Sequence, residues 1–514
     1  PARPRHAPLG SLRSSLPRSS LSWGVPRGAY TAAFILLLDR GHDDYMAYSL
    51  GTLFSVGLLF SFTVAAPANP FGPVPPPVPT DGPGPNPLLQ NHLLMIVHPP
   101  TLYLGYVGMS VPFAMAVAAL LRGRLGPTWL LPLRNWLLVP TSFLSLGIML
   151  GGWWSYEVLG WGGYWAWDPV ENASFLPWLT GIAALHSAIV QQRRGTLKAW
   201  TVILVMLTFL LTILGTFLTR SGVVNSVHSF TQSPIGPLFL VFLGIALVAS
   251  VVLLSLRIDT LVSEPAEDAV LAREGAFLLN NLLLVTIMFT VLVGTLFPIV
   301  AEAVRGVKVS VGEPYYNRMS VPVFLALLLL MGIGPALPWG RAKTELVRRA
   351  LVRPLPAGAA ALALVFLLGG RTWSVLLTAF LAGYALWVTT DQALRPARSR
   401  RARGEKAGAA LGRSVLRSPR RLGAYVVHFG VIVTFAAVAV SANYQSSHEA
   451  TLRPGDTMEV SDYDLTFKTT RVVRNPHMVA QTADVEVTRK GSAVGEMAPS
   501  LNQYDDTESL AFYG

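Results

Sequence analysis

The chain has 514 residues, of which 52% are apolar and only 13% charged. That balance excludes an ordinary soluble enzyme and places the chain among polytopic membrane proteins. A net charge of +12 suggests nucleic acid in a soluble protein, but in this class the positive charge collects in cytoplasmic loops, so no nucleic-acid partner is expected. With no cysteine, the chain forms no disulfide, exchanges no thiol and offers no thiolate to a metal.

Residues 1–28 are rich in Arg, Ser and Pro, start at proline and contain no run able to span a membrane. They are left unassigned, as a disordered or scrambled segment, and the chain is expected to be incomplete at both ends. Thr31–Leu38 reads as a remnant or re-entrant piece. Eleven apolar runs follow, near 46–66, 101–121, 135–152, 175–190, 199–219, 235–256, 276–297, 319–338, 355–370, 373–390 and 422–442. Spans need about 20 residues, and backbone groups cannot stay unpaired in hydrocarbon, so these runs are predicted to be helices. The transmembrane domain is expected over 29–442.

Lys and Arg set the orientation. The basic loops are 122–134, 193–198, 341–353 and 391–421, the last with ten Lys/Arg against two acidic residues. With eleven spans all four fall on one side, which the positive-inside rule makes cytoplasmic. One missed helix would split them. Loops 67–100, 153–174, 220–234 and 298–318 then lie outside, with everything after 442. The first of these contains PVPPPVPTDGPGPNP, an extended surface connection.

Residues 153–178, WWSYEVLGWGGYWAWDPVENASFLPW, hold six of the thirteen tryptophans: Trp153, Trp154, Trp161, Trp165, Trp167 and Trp178. Aromatic belts spread over many helix ends, whereas here the rings concentrate in one outer loop. Such a loop offers a flat, apolar platform for a flat, apolar ligand, and haem is the leading candidate. Asp168-Pro169 is predicted to open a helix, with Asp168 as N-cap and Glu171 closing a capping box.

His186, four residues from the inner end of its run, and His428, six from the inner end of its own, sit roughly 6–9 Å inside the cytoplasmic boundary. At matched depth on different helices they are candidates to clamp one haem iron; the alternative is that each only hydrogen-bonds a neighbouring helix. His98, just before the helix expected from Thr101, and His228, after the run 199–219, form an outer pair flanking the tryptophan loop. Both axial positions of a haem would be filled there. Interfacial histidines that only meet water are the alternative, and His92 is the rival ligand. His6, His42, His448 and His477 read as surface residues. Arg220 is placed either to pair with a haem propionate or to anchor its helix at the headgroups.

After Asn443 the pattern changes. Asp464–Lys468, Arg471–Val473 and Asp484–Arg489 alternate as strands, so residues 443–514 are expected to form a small outer β-domain, cut short at Gly514.

The run WGGYWAWDPVENASFLPWL resembles the WWD signature of the haem-handling protein superfamily. From about Asp43 to about residue 470 the chain is similar to the CcmF family of cytochrome c-type biogenesis haem lyase subunits. AAPANPF, HPPTLYLGYVG, ALHS, GTFLTRSGVVNSVHSF and YVVHFGV carry that likeness in order. Tyr164 stands where the family commonly has tryptophan. Helices that the family has before about residue 30, and a last helix after the outer domain, are not read here.

The resemblance implies an all-α polytopic membrane protein of about eleven or more transmembrane helices, with an extracytoplasmic β-domain near the C-terminus. It implies His98 and His228 as outer ligands of a haem, the transferred substrate, held over Trp161, Trp165, Trp167 and Asp168 of the WWD loop. His186 and His428 would ligate a resident transmembrane haem b. It implies a bacterial cytoplasmic (inner) membrane location, with the WWD loop and the β-domain on the periplasmic side. The implied partners are a haem chaperone, a thiol-handling apocytochrome-binding subunit and the CxxCH motif of apocytochrome c. The implied reaction joins haem vinyl groups to the CxxCH thiols. No residue reads as a general acid or base, so catalytic residues are unassigned. A carrier or exporter that loads a haem chaperone without making a bond suits the outer loop but has no use for a deep pair. An unrelated transporter with an aromatic gate would need charges in its spans, which are nearly free of them.

Overall fold

The computed structural model describes residues 43–67, 69, 92–158, 163–224, 226, 235–263, 272–340, 344–445, 448–475, 478–504 and 510–513. Thr31–Leu38, the proline-rich run, Trp161, His228, His6, His42 and His477 lie outside them.

The helices are α1 (Asp43–Ala65), α2 (Leu94–Gly108), α3 (Ser110–Arg122), α4 (Pro127–Val158), α5 (Pro169–Arg194), α6 (Lys198–Arg220), α7 (Gly236–Leu256), α8 (Ile258–Leu261), α9 (Arg273–Arg305) and α10 (Glu313–Ile333). They continue as α11 (Thr344–Val352), α12 (Leu355–Leu367), α13 (Trp373–Arg401), α14 (Ala407–Arg417) and α15 (Pro419–Tyr444). Among the described residues, eleven segments are long and apolar enough to cross a membrane, and they coincide one for one with the expected runs. Two of them are interrupted helices: α2 and α3 together span Leu94–Arg122, and α11 and α12 span Thr344–Leu367.

The core of the bundle is α3, α5 and α6. Phe113 stacks on Phe209 at 4.2 Å, and Thr208 donates to Thr180 at 2.9 Å in the buried α5–α6 seam. Outer faces carry exposed Leu, Val and Phe, as a lipid-facing surface requires, so burial cannot drive association there and close packing must. The α2–α4 seam shows how. A Cβ on Gly105 would lie 2.6 Å from the Leu144 backbone, one on Gly147 2.7 Å from Leu102, and one on Gly151 2.6 Å from the His98 ring. The two helices therefore touch backbone to backbone over two turns. The helix also starts earlier than expected: His98 lies inside α2, not before it, and Pro99 and Pro100 are accommodated within the helix.

The tail forms a six-stranded antiparallel sheet: β1 (Thr457–Val460), β2 (Tyr463–Asn475), β3 (Met478–Arg489), β4 (Ser492–Met497), β5 (Ser500–Tyr504) and β6 (Leu510–Tyr513). The two strands expected at Asp464–Lys468 and Arg471–Val473 are one strand, β2, with a bulge between Phe467 and Thr469. The bulge shifts the alternation by one residue, which is why the pattern reads as two pieces. β3 pairs β5 through its first half and β4 through its second.

Gly147→Val should cost at least the roughly 1–3 kcal/mol typical of overpacking, because its methyls would enter the α2 backbone. The readout is a lower thermal midpoint of the detergent-purified protein. Gly51→Ala, whose Cβ meets nothing within 4 Å, is the control and should leave it unchanged.

Candidate functional site

The tryptophans divide their work. Trp154 is buried against Leu94 and Val158 at the end of α4, and Trp178 Nε1 donates to Ser145 Oγ at 2.8 Å across α4 and α5. Trp153 Nε1 donates to Glu157. Trp154 and Trp178 hold helices and Trp153 bonds within its own, so the expected single platform of six rings is smaller than the sequence suggests. The described part of the platform is built on Trp165 and Trp167. Trp167 stacks on Tyr316 of α10 at 5.0 Å and 9°, and its Nε1 donates to Asn317 Oδ1 at 2.9 Å. Trp165 meets Trp167 edge-on at 5.8 Å and Phe175 at 5.6 Å.

Asp168 locks this loop to α5. The predicted capping box is present, with the Asp168 carboxylate accepting from Val170 N–H at 2.9 Å and Glu171 Oε2 accepting from Asp168 N–H at 3.2 Å. Ala166 N–H also donates to Glu171 Oε2 at 2.9 Å. Ser226 Oγ donates to Asp168 Oδ2 at 2.6 Å, which ties in the segment after α6. Asn172 Nδ2, in the first turn of α5, donates to Trp167 O at 3.0 Å and to Thr295 of α9 at 3.1 Å. Trp167 itself holds φ 57°, a left-handed conformation that a bulky residue adopts only when its surroundings impose it.

His92 and His98 have different partners. His92 Nδ1 accepts from Leu94 N–H at 3.2 Å, so its proton sits on Nε2, which faces Glu157 at 2.6 Å. Both nitrogens are engaged. His98 Nδ1 lies 2.8 Å from the Gly147 carbonyl, which can only accept. The Nδ1 proton is fixed there, which sets the tautomer and the orientation of the ring. Gly151 clears the space that the ring fills. Arg220 Nη2 donates to Tyr103 Oη at 3.0 Å, bracing the end of α6 against α2. His228 and Trp161, the remaining outer candidates, lie outside the described residues.

The inner pair does come together. The His186 and His428 rings are 6.4 Å apart between centroids and inclined by 30°. α15 rests on α13, α10 and α14 and reaches α5 through this pair. His428 Nδ1 is 2.7 Å from the Ala424 carbonyl, so its lone pair is on Nε2. His186 Nδ1 is 2.8 Å from the Asn280 amide of α9, which serves either tautomer according to which end of the amide faces the ring. Phe277, one turn before Asn280, covers the His186 ring at 5.3 Å. Asn280, Asn281, Phe277, Glu157 and Gly151 were not picked out from the sequence. The Asn280-Asn281 pair inside an apolar span was the available signal, since polar residues at that depth need partners. Among the described residues no cluster of three or more His, Asp or Glu could hold a bare metal ion.

Asp168→Ala should destabilise the protein by about 1 kcal/mol through loss of the cap. Asp168→Asn, which can still cap, should recover most of it in the same thermal unfolding measurement.

Comparisons with known proteins agree with this architecture. The family described as cytochrome C assembly protein matches residues 27–224, and the CcmF C-terminal beta-sandwich matches residues 443–511. Cytochrome c-type biogenesis protein CcmF of Pseudomonas aeruginosa is 37% identical over 495 residues, covering 96% of this chain and 74% of that one. CcmF of Escherichia coli is 37% identical over 494 residues, covering 96% and 73%. A solved structure of cytochrome c haem lyase CcmF superposes with a TM-score of 0.75 at 34% identity, over 96% of this chain and 73% of that one. The chain therefore belongs to the CcmF family of bacterial cytochrome c-type biogenesis proteins, multi-pass in the membrane.

Proposed function

We propose that the protein is a haem lyase of cytochrome c maturation. It takes haem as substrate at the WWD loop from a haem chaperone and joins its vinyl groups to the two CxxCH thiols of apocytochrome c, presented by a thiol-handling subunit. Each thiol adds across one vinyl double bond. Sulfur bonds the inner vinyl carbon, the thiol proton ends on the outer carbon, and no electrons leave. The reaction needs reduced thiols and is favoured by ferrous haem.

The observation that carries this reading is the His186–His428 pair. Two metal–imidazole bonds of about 2 Å each, plus about 1.1 Å from each ring nitrogen to its centroid, add up to about 6 Å. The 6.4 Å between the ring centres is close to that span. The residues fit a haem b. When bound, it supplies one-electron reduction. The chain's own part is to hold the ligands: Ala424 and Asn280 orient the imidazoles, and Phe277 shields one of them. A carrier that makes no bond leaves this pair unexplained.

At the outer site His98 is the ligand of the described pair, with His228 as its proposed partner. Trp161, Trp165 and Trp167 form the shelf, Asp168 its anchor, and Arg220 a propionate partner one helix away. No acid or base is assigned here, and positioning in a water-poor site carries the rate. The basic loops between spans support a bacterial inner membrane orientation with the WWD loop and β-domain outside.

Detergent-purified protein should show a low-spin b-type spectrum, confirmed by pyridine haemochrome, that disappears in His186→Ala/His428→Ala. Haem-free wild type from haem-replete cells would refute the deep site. In the same cells, His98→Ala should abolish cytochrome c attachment while the deep spectrum remains, and His92→Ala should reduce attachment far less.

A further inference from the structure

Three helices repeat one spacing at the deep site. On α5, His186 is followed by Arg193; on α15, His428 is preceded by Arg421; on α9, Asn280, the partner of His186, is preceded by Arg273. Each interval is seven residues, which is two turns and about 10.5 Å along the axis on nearly the same face. α5 ends at Arg194 whereas α9 and α15 begin at Arg273 and Pro419, so antiparallel packing brings all three arginines to one end. They gather there. The Arg193 and Arg273 guanidinium carbons lie 5.2 and 5.5 Å from the Trp339 ring centre, on which Phe277 stacks at 5.8 Å. Arg193 and Arg421 are both close enough to Arg273 to repel it.

This cluster lacks an anion. Glu274 is taken by Arg194 at 2.6 Å and by Gly340 N–H, and Asp391 by Arg395 and Arg398. Among the described residues Arg193, Arg273 and Arg421 pair with no carboxylate. Their remaining contacts are to neutral groups: Arg273 donates to the Leu337 and Pro335 carbonyls, and Arg421 donates to Gln392 O at 3.4 Å and lies over Tyr425. Like charges held together near a membrane boundary call for a ligand with more than one negative charge. A haem held between His186 and His428 carries two carboxylates on one edge.

We propose that Arg193, Arg273 and Arg421 clamp the two propionates of the deep haem and so fix its plane with the carboxylate edge toward the basic ends of α5, α9 and α15. This rests on the deep-haem reading above and adds an orientation to it. Arg193 and Arg421 reach the propionates from opposite sides, one from each ligand-bearing helix. Arg273, already tied to backbone carbonyls, supplies fixed charge between them.

The test uses full-length protein and the variant R193Q/R421Q. Wild type is first checked for the low-spin b-type spectrum; its absence there would overturn the deep site itself, separately from the clamp. The variant is expected to keep the spectrum, because both histidines remain, but with a lower midpoint potential, since positive charge beside the iron is gone. Haem-stripped wild type is expected to take up haem at least about tenfold more tightly than haem dimethyl ester, the worth of one charge-assisted hydrogen bond. The variant should lose that preference, and R193K/R421K should recover part of it. An unchanged potential together with an unchanged preference would overturn the clamp. So would a wild type that does not distinguish haem from its ester while R193Q/R421Q sheds bound phosphatidylglycerol, which would assign the cluster to lipid headgroups.

Discussion

In hydrocarbon no water is available to satisfy a polar group, so each one inside this bundle must find a protein partner or a ligand. That constraint explains the positions of the functional residues better than any local preference. Asn281 donates to Ser187 and Asn280 meets His186, so two consecutive amides on α9 are both absorbed by α5. The fit leaves α5 oriented so that His186 faces α15. His428, on a helix whose other residues are largely exposed, has its own helix's carbonyl at Ala424 as partner for one nitrogen, and its ring lies 6.4 Å from that of His186. A helix with so little of its surface buried is positioned by few contacts, of which the meeting of His428 with His186 is one.

The outer site obeys the same rule with different means. Glycine lets α2 and α4 approach until the Gly147 carbonyl becomes a hydrogen-bond acceptor for His98. The same approach brings Glu157 to His92. The WWD loop is then set by a cap rather than by burial. Asp168, Glu171 and Asn172 satisfy the first turn of α5, the chain leading into it and the segment following α6 with three side chains. Trp167 accepts a left-handed backbone because its ring is stacked on Tyr316 and its nitrogen is bonded to Asn317. Rigid aromatic surface presented by bonded backbone is what a site that works by positioning requires.

Much of this was legible in the chain. Apolar length located the spans because membrane thickness is a fixed ruler. Counting residues from the inner boundary set His186 and His428 at one depth because helical rise is constant. The Asp-Pro-x-Glu order announced a cap because only a few residue types can satisfy the first turn of a helix. The six tryptophans misled in part: composition cannot distinguish a ring that packs two helices, such as Trp154, from one that joins the loop's own aromatic cluster, such as Trp165. The start of α2 was misjudged because His98-Pro99-Pro100 looks like a boundary, whereas the bundle tolerates prolines within the first turns of a helix that is held by close contact with α4.

The sequence alone therefore determined the eleven spans found among the described residues, the matched histidine levels and the cap, all of which depend on spacing along one helix or on membrane thickness. Which residues meet across helices was decided by tertiary structure: Asn280 with His186, Glu157 with His92, Gly151 with His98, and Arg193 and Arg273 around Trp339. Those meetings depend on how each helix is rotated about its axis. Rotation is fixed by the fit of small residues and buried hydrogen bonds between neighbours, which no single helix encodes.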